Sequence, residues 1–271
     1  MCELLAISCA LPTPVSMSLK HFASHGGASD TNRDGWGLVY YSGDDIRRFR
    51  DTGSAADSEW VKFVEQQSLR CTLFLAHIRF ANVGDVRLAN THPFSRELGG
   101  SVHTFAHNGF LKNIADTDAF KLRRYRPIGN TDSEHAFCAL LDRLCNSWME
   151  SDDVPDLSTR QDVVAKFASE LKELGLANFI YCDGDAMFVY SDRRKGADGE
   201  FQAPGLWMTR RTCLSDDEVI SGGGVEICSA KQKIAIAASV PLTEEGWEPL
   251  PTGTLAVMKD GDLLKNVVRN T

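Results

Sequence analysis

The chain has no excess of positive charge, no long apolar run and no paired-cysteine signature, and each absence removes a class of function. Lys and Arg number 29 against 37 Asp and Glu, a net charge of −8, and the acidic residues are spread along the chain. That balance argues against a nucleic-acid backbone or an anionic membrane as partner. No stretch approaches the roughly 18–20 uncharged apolar residues that cross a bilayer. The first residues lack a basic region leading into an apolar signal core, because Glu3 stands at their start. A cytoplasmic location is therefore expected. None of the eight cysteines forms a CxxC pair, so neither a zinc site nor a redox dithiol is indicated. Without a secretion signal, disulfides are not expected either. Cys71, Cys138, Cys145 and Cys182 lie inside apolar segments and read as small core residues.

What is present suits a globular enzyme. Of 271 residues, 43% are hydrophobic and 24% charged, enough apolar material for a sizeable core. No repeat, low-complexity tract or break in composition marks a boundary, so residues 1–271 are expected to form one domain.

A first strand is expected over residues 2–9, ending before Pro12 and Pro14, and then a short helix over 16–24. The glycine-rich polar stretch 25–37 reads as a loop running into a strand, Leu38-Val39-Tyr40-Tyr41, whose hairpin partner lies near 46–50. Helical spacing follows over 59–69, and residues 71–79 form an apolar run typical of a strand covered on both faces. The polar stretch 80–113 shows little periodicity and reads as functional loop. Thr131-Asp132-Ser133-Glu134 is a capping box opening an amphipathic helix, and a second helix is expected over 162–174. Strands are expected near 178–182, 186–190, 206–209, 225–228, 234–238 and 254–258, with a last pair around Asp260-Gly261. Hairpins rather than βαβ units imply helices covering antiparallel sheets.

Four separated pieces carry chemistry. Cys2 stands directly behind Met1; if that methionine is removed, Cys2 combines a thiol with an α-amine of pKa about 7.7–8.0. Such an amine can take the thiol proton and return it to a leaving amine. His77-Ile78-Arg79-Phe80-Ala81-Asn82 places an arginine at the end of the apolar strand. His107-Asn108-Gly109 offers an amide and a glycine, which alone reads as a turn. Asp132 sits in a first helical turn, where the macrodipole favours a carboxylate in any case.

In this order the pieces resemble the class II glutamine amidotransferases, a family of N-terminal nucleophile hydrolases. The Arg33-Asp34-Gly35-Trp36-Gly37 and Asn90-Thr91-His92-Pro93-Phe94 segments are similar to its stand-alone bacterial branch, which carries no synthase domain on the same chain. The resemblance implies an α+β fold, a four-layer αββα sandwich with mainly antiparallel sheets. It implies Cys2 as nucleophile, with the Asn108 side chain and Gly109 N–H at the oxyanion. Arg79 would bind the substrate α-carboxylate and Asp132 its α-ammonium, with Trp36 and Gly37 lining the pocket; for Trp36 a core position is an equal expectation. A guanidinium fork suits a carboxylate. His77, His92 and His107 have no helical zinc spacing and are expected to be structural, so no metal and no cofactor is indicated.

The implied reaction is hydrolysis of the glutamine γ-carboxamide through a thioester, with ammonia released or passed to a synthase in trans. An alternative is a γ-glutamyl amide of a larger amine or thiol compound. An alternative of another class is a non-catalytic sensor of such a compound. The chain departs from the best-known members at Asn82-Val83-Gly84, where they carry Thr-His-Gly.

Overall fold

The computed structural model describes residues 2–18, 21–22, 34–43, 45–54, 58–67, 69–79, 85–196, 199–216, 218–244 and 246–268. Met1, residues 19, 20, 23 and 24 of the expected helix over 16–24, most of the glycine-rich loop, and residues 80–84 with the Asn82-Val83-Gly84 departure lie outside these.

In chain order the first half consists of β1 (Glu3–Met17), β2 (Trp36–Ser42), β3 (Asp45–Asp51), α1 (Glu59–Glu65), β4 (Arg70–Ile78), β5 (Phe94–Leu98) and β6 (Ser101–Leu111). Helices α2 (Asp132–Met149) and α3 (Leu157–Lys172) follow, then β7 (Gly175–Cys182), β8 (Met187–Ser191), β9 (Arg194–Lys195) and β10 (Phe201–Gln202). The chain closes with β11 (Trp207–Cys213), β12 (Glu218–Gly222), β13 (Val225–Ser229), β14 (Gln232–Ala238), β15 (Glu248–Pro249), β16 (Thr254–Lys259) and β17 (Asp262–Val268).

Two large antiparallel sheets and a two-stranded one, β9-β10, result. One runs β15-β11-β14-β1-β4-β2-β3, with β12 and β13 attached beside β1; the other runs β17-β16-β8-β7-β6-β5. Residue parity sorts the apolar side chains into three layers. Leu4, Ala6, Val39, Leu75, Ala106, Ile180 and Val189 interdigitate between the sheets. Phe105, Phe179 and Tyr181 meet Phe137, Leu140 and Phe167 of α2 and α3. Leu5, Ile7, Leu38, Tyr40 and Phe74 form an outer layer on the first sheet with Val61 and Val64 of α1. The fold is the expected α+β type, with mainly antiparallel sheets and helices packed outside them. Its helical layers are unequal, since α1 spans only seven residues.

Four local expectations are corrected. β1 does not stop before Pro12: its pairing with β4 shifts register between Ser8 and Thr13 and resumes at Thr13 and Pro14, and the strand runs on to Met17. An irregular, bulge-like stretch tolerates the missing proline N–H, and Ser16 and Met17 pair with β13 instead of opening a helix. The second strand starts at Trp36 rather than Leu38. The stretch 80–113 is not mainly loop, because β5 and β6 form a hairpin within it. Its polar residues conceal a strand lying between a sheet partner and two covered faces.

A buried ion pair ties α3 to the second sheet. Arg160, 2% exposed, donates to Asp183 at 2.6 Å, to Asp185 at 2.7 Å and to the Pro155 carbonyl at 2.8 Å. Removing one partner strands the other charge in the interior. Arg160→Ala is expected to cost about 3–5 kcal/mol, read as a lowered midpoint in denaturant unfolding.

Candidate functional site

β1, β4 and β6 bring the expected site residues together. Cys2 immediately precedes β1, whose Glu3 pairs with Ile78, so the chain end lies beside Arg79 as it leaves β4. Asn108 stands within β6 of the facing sheet, and its Nδ2 donates to the Cys2 carbonyl at 2.7 Å. The His-Asn-Gly motif is thus strand rather than turn. It is supported from β7, where Asn178 pairs in register with Asn108. Asn178 Nδ2 donates to the Asn108 and Arg193 carbonyls at 3.3 and 2.7 Å, while its Oδ1 accepts the Asp192 N–H at 2.7 Å. Nothing in the sequence singled Asn178 out.

Gly109 is required by close approach. A Cβ there would lie 1.8 Å from the Leu176 carbonyl oxygen, an impossible contact for any other residue without backbone movement. Gly37 is required in the same way, since its Cβ would lie 2.1 Å from the His92 carbonyl oxygen. The Thr91-His92-Pro93 segment therefore lies directly against Gly37. Trp36 points the other way. It is fully buried in the outer layer with Leu38 and Tyr40, so of its two expected positions the core one fits and the pocket one does not.

Arg79 is 3% exposed. Its backbone N–H reaches the Gly35 carbonyl at 2.8 Å, and Nη1 donates to the Asp34 and Asp85 carbonyls at 3.4 and 3.3 Å. Burial pulls its pKa down, while Cys2, Asp34 and Asp85 oppose that pull, which places Cys2 within electrostatic reach of the guanidinium.

Asp132 is held rigidly. Oδ2 accepts the Leu111 N–H at the end of β6 at 2.8 Å, and Oδ1 accepts the Ser133 N–H at 2.8 Å. Ser133 Oγ in turn meets His107 Nδ1 at 2.8 Å. Thr131 Oγ caps the helix by accepting the Glu134 N–H at 3.2 Å. The second half of the capping box is replaced: Glu134 binds Arg96 and the Gly129 N–H, both at 2.6 Å.

The three histidines are structural in position. His107 also meets the Leu176 carbonyl through Nε2 at 3.1 Å. His77 and His92 lie with ring centroids 4.3 Å apart and planes tilted by 40°, fully or nearly buried. Burial drives His77 down to about 3 and His92 well below its ordinary value, with neighbouring positive charge adding to both. Both rings are neutral at physiological pH. Among the described residues, no group of three or more His, Cys, Asp and Glu is arranged to hold a metal ion.

Beside Cys2, Glu3 is fully buried and paired with Arg194, Oε1 to Nη2 at 2.5 Å and Oε2 to Nη1 at 3.0 Å. Arg194 also donates to the Ser239 carbonyl at 2.9 Å. Burial pushes the Glu3 carboxyl up to about 7 against the opposing pull of Arg194.

Comparison with known proteins gives the family of the chain. The family model for class-II glutamine amidotransferases matches residues 1–271, and the chain belongs to that family of enzymes. A Haemophilus influenzae protein assigned by name as a glutamine amidotransferase is 32% identical over 99% of this chain and 87% of its own length. The similarly assigned Escherichia coli protein YafJ is 32% identical over 93% of this chain and 95% of its own. The crystal structure of a predicted glutamine amidotransferase from Pseudomonas aeruginosa PA01 superposes with a TM-score of 0.71 at 30% identity, covering 97% of this chain and 99% of that one. The phosphoribosylpyrophosphate amidotransferase of B. subtilis shares the fold, with a TM-score of 0.59 at 15% identity over half of its own chain. No helix among the described residues is long and apolar enough to cross a membrane.

The buried imidazoles set a pH dependence. The unfolded chain protonates His77 and His92 near their ordinary pKa of 6.5, whereas the folded state keeps them neutral until far lower pH. Below about pH 6.5 the unfolded state thus binds more protons, and stability falls as pH drops further. His77→Phe is expected to flatten that fall. Denaturant midpoints of wild type and variant compared at pH 7 and pH 5 measure the difference.

Proposed function

We propose that this enzyme hydrolyses the γ-carboxamide of glutamine through Cys2 after loss of Met1. The observation that carries the reading is the Asn108 Nδ2 bond to the Cys2 carbonyl at 2.7 Å, beside the Arg79 guanidinium. An amide NH2 has two protons, so one can fix Cys2 while the other serves an oxyanion.

In the proposed cycle the freed α-amine takes the Cys2 thiol proton and the thiolate adds to the γ-carbonyl carbon. Negative charge gathers on the carbonyl oxygen, facing Asn108 and the Gly109 N–H; one such donor is typically worth about 10²–10³ in rate. The α-ammonium then protonates the nitrogen, ammonia leaves, and a γ-glutamyl thioester remains. Water adds through the same amine and releases glutamate and the thiol. Arg79 holds the substrate α-carboxylate and Asp132 its α-ammonium. The ammonia is released or taken up by a synthase in trans.

A second reading, cleavage of a γ-glutamyl amide of a larger amine, is favoured by an apolar rim. Arg79 contacts Asp85, and the residues that follow include exposed Val86 and Leu88. Arg87 joins this segment to the carbonyl of Ile128, itself 72% exposed. A panel of γ-glutamyl amides beside glutamine ranks the two by kcat/KM. For both readings, Cys2→Ala is expected to abolish turnover while leaving the circular dichroism spectrum and melting profile intact. Full activity in that variant overturns the mechanism.

A further inference from the structure

The two sheets each present an open edge on the same side of the sandwich, β3 from one and β5 from the other. Across this gap the side chains are guanidiniums. Arg48 Nη1 bonds Ser95 Oγ of β5, and Arg50 Nη1 donates to the Thr91 carbonyl at 2.5 Å. Arg96 of β5 lies close enough to both to act on them electrostatically. The carboxylate that acts on Arg50, that of Glu134, is 1% exposed and already committed to Arg96 and the Gly129 N–H. Among the described residues, no carboxylate lies within ion-pair distance of Arg48 or Arg50. Burial first, and then the Arg48 charge, pull Arg50 down to about 10. Arg48 and Arg50 thus stand beside Arg96 without an ion-pair partner of their own among the described residues, in a chain whose net charge is −8.

Charged residues on an edge strand can serve only to block edge-to-edge pairing. That purpose accounts for Arg47, which is exposed on the outer face of β3. It does not account for Arg50, half-buried and drawn inward onto the Thr91 carbonyl. Two planar guanidinium forks, those of Arg48 and Arg50, neither held in an ion pair among the described residues, match a tetrahedral oxyanion carrying more than one charge. We propose that the gap between the edges of β3 and β5 binds a phosphate-class oxyanion through Arg48 and Arg50, with Arg96 closing one side.

The position gives such an anion leverage. Thr91, which anchors Arg50, leads into the segment lying on Gly37, and Glu134 belongs to the same helical turn as Asp132. The site is independent of the hydrolytic reading and is tested by binding rather than turnover.

Inorganic phosphate and a phosphoserine peptide are titrated calorimetrically into the full chain at constant ionic strength set with chloride. Saturable binding of phosphate is expected, weakened by about tenfold or more in Arg48→Gln, the order expected for a lost hydrogen bond to a charged group. Arg210→Gln, an exposed arginine of β11 on the far side of the first sheet from β3, is expected to bind as wild type. Because Arg48 is exposed, its variant keeps the test valid even if Arg50→Gln fails to fold. Tighter binding of the peptide than of phosphate identifies a protein-borne anion, and equal binding a free one; both sustain the proposal. It is overturned by absence of saturable binding above chloride, by unchanged affinity in Arg48→Gln, or by a polyglutamate peptide binding where phosphate does not.

Discussion

The hydrogen bond from Asn108 to the Cys2 carbonyl is the contact on which the proposed site depends, because it joins the chain's first strand to the opposite sheet. Every other site residue is placed relative to that junction. Arg79 arrives beside it because β4 pairs with β1 and ends at Ile78. Asp132 arrives because its carboxylate caps the last backbone N–H of β6, the strand that carries Asn108. The Asn178 amide then fixes Asn108 from behind. The arrangement is rigid because strands, not loops, supply its members, and two of its glycines are places where backbones approach too closely for a Cβ.

Burial shapes the electrostatics around this junction. His77 and His92 lie between the site and the interior and are held neutral, so they contribute shape without charge. Arg79 is a cation in electrostatic reach of Cys2, and its guanidinium donates to the Asp34 and Asp85 carbonyls. Glu3 and Arg194 form a buried ion pair that anchors the start of β1.

Much of this was legible in the sequence because its signals are local. The capping residue Thr131, the apolar strand ending at Arg79, and the order of the cysteine, arginine, asparagine and aspartate motifs all survive in three dimensions. What was not legible depends on contacts between distant segments. The strand character of residues 101–111 was hidden because a strand covered on both faces need not alternate, and its His, Thr and Asn residues find partners only across the sandwich. Trp36 read equally as pocket or core because its facing depends on strand parity, which the glycine-rich stretch before it obscured. Asn178, Glu134's turn towards Arg96 and the arginines at the sheet edges carry no sequence signal, since each acquires meaning only from a neighbour dozens of residues away.

The central claim is that the residue at the head of β1 is the nucleophile. It is tested most directly by treating the processed enzyme with a glutamine-analogue electrophile and mapping the adduct by mass spectrometry of the N-terminal peptide. The account predicts one adduct, on the sulfur of Cys2 in a chain lacking Met1, formed in step with loss of activity and slowed by glutamine. An active enzyme that retains Met1, or inactivation with the adduct on another residue, contradicts it.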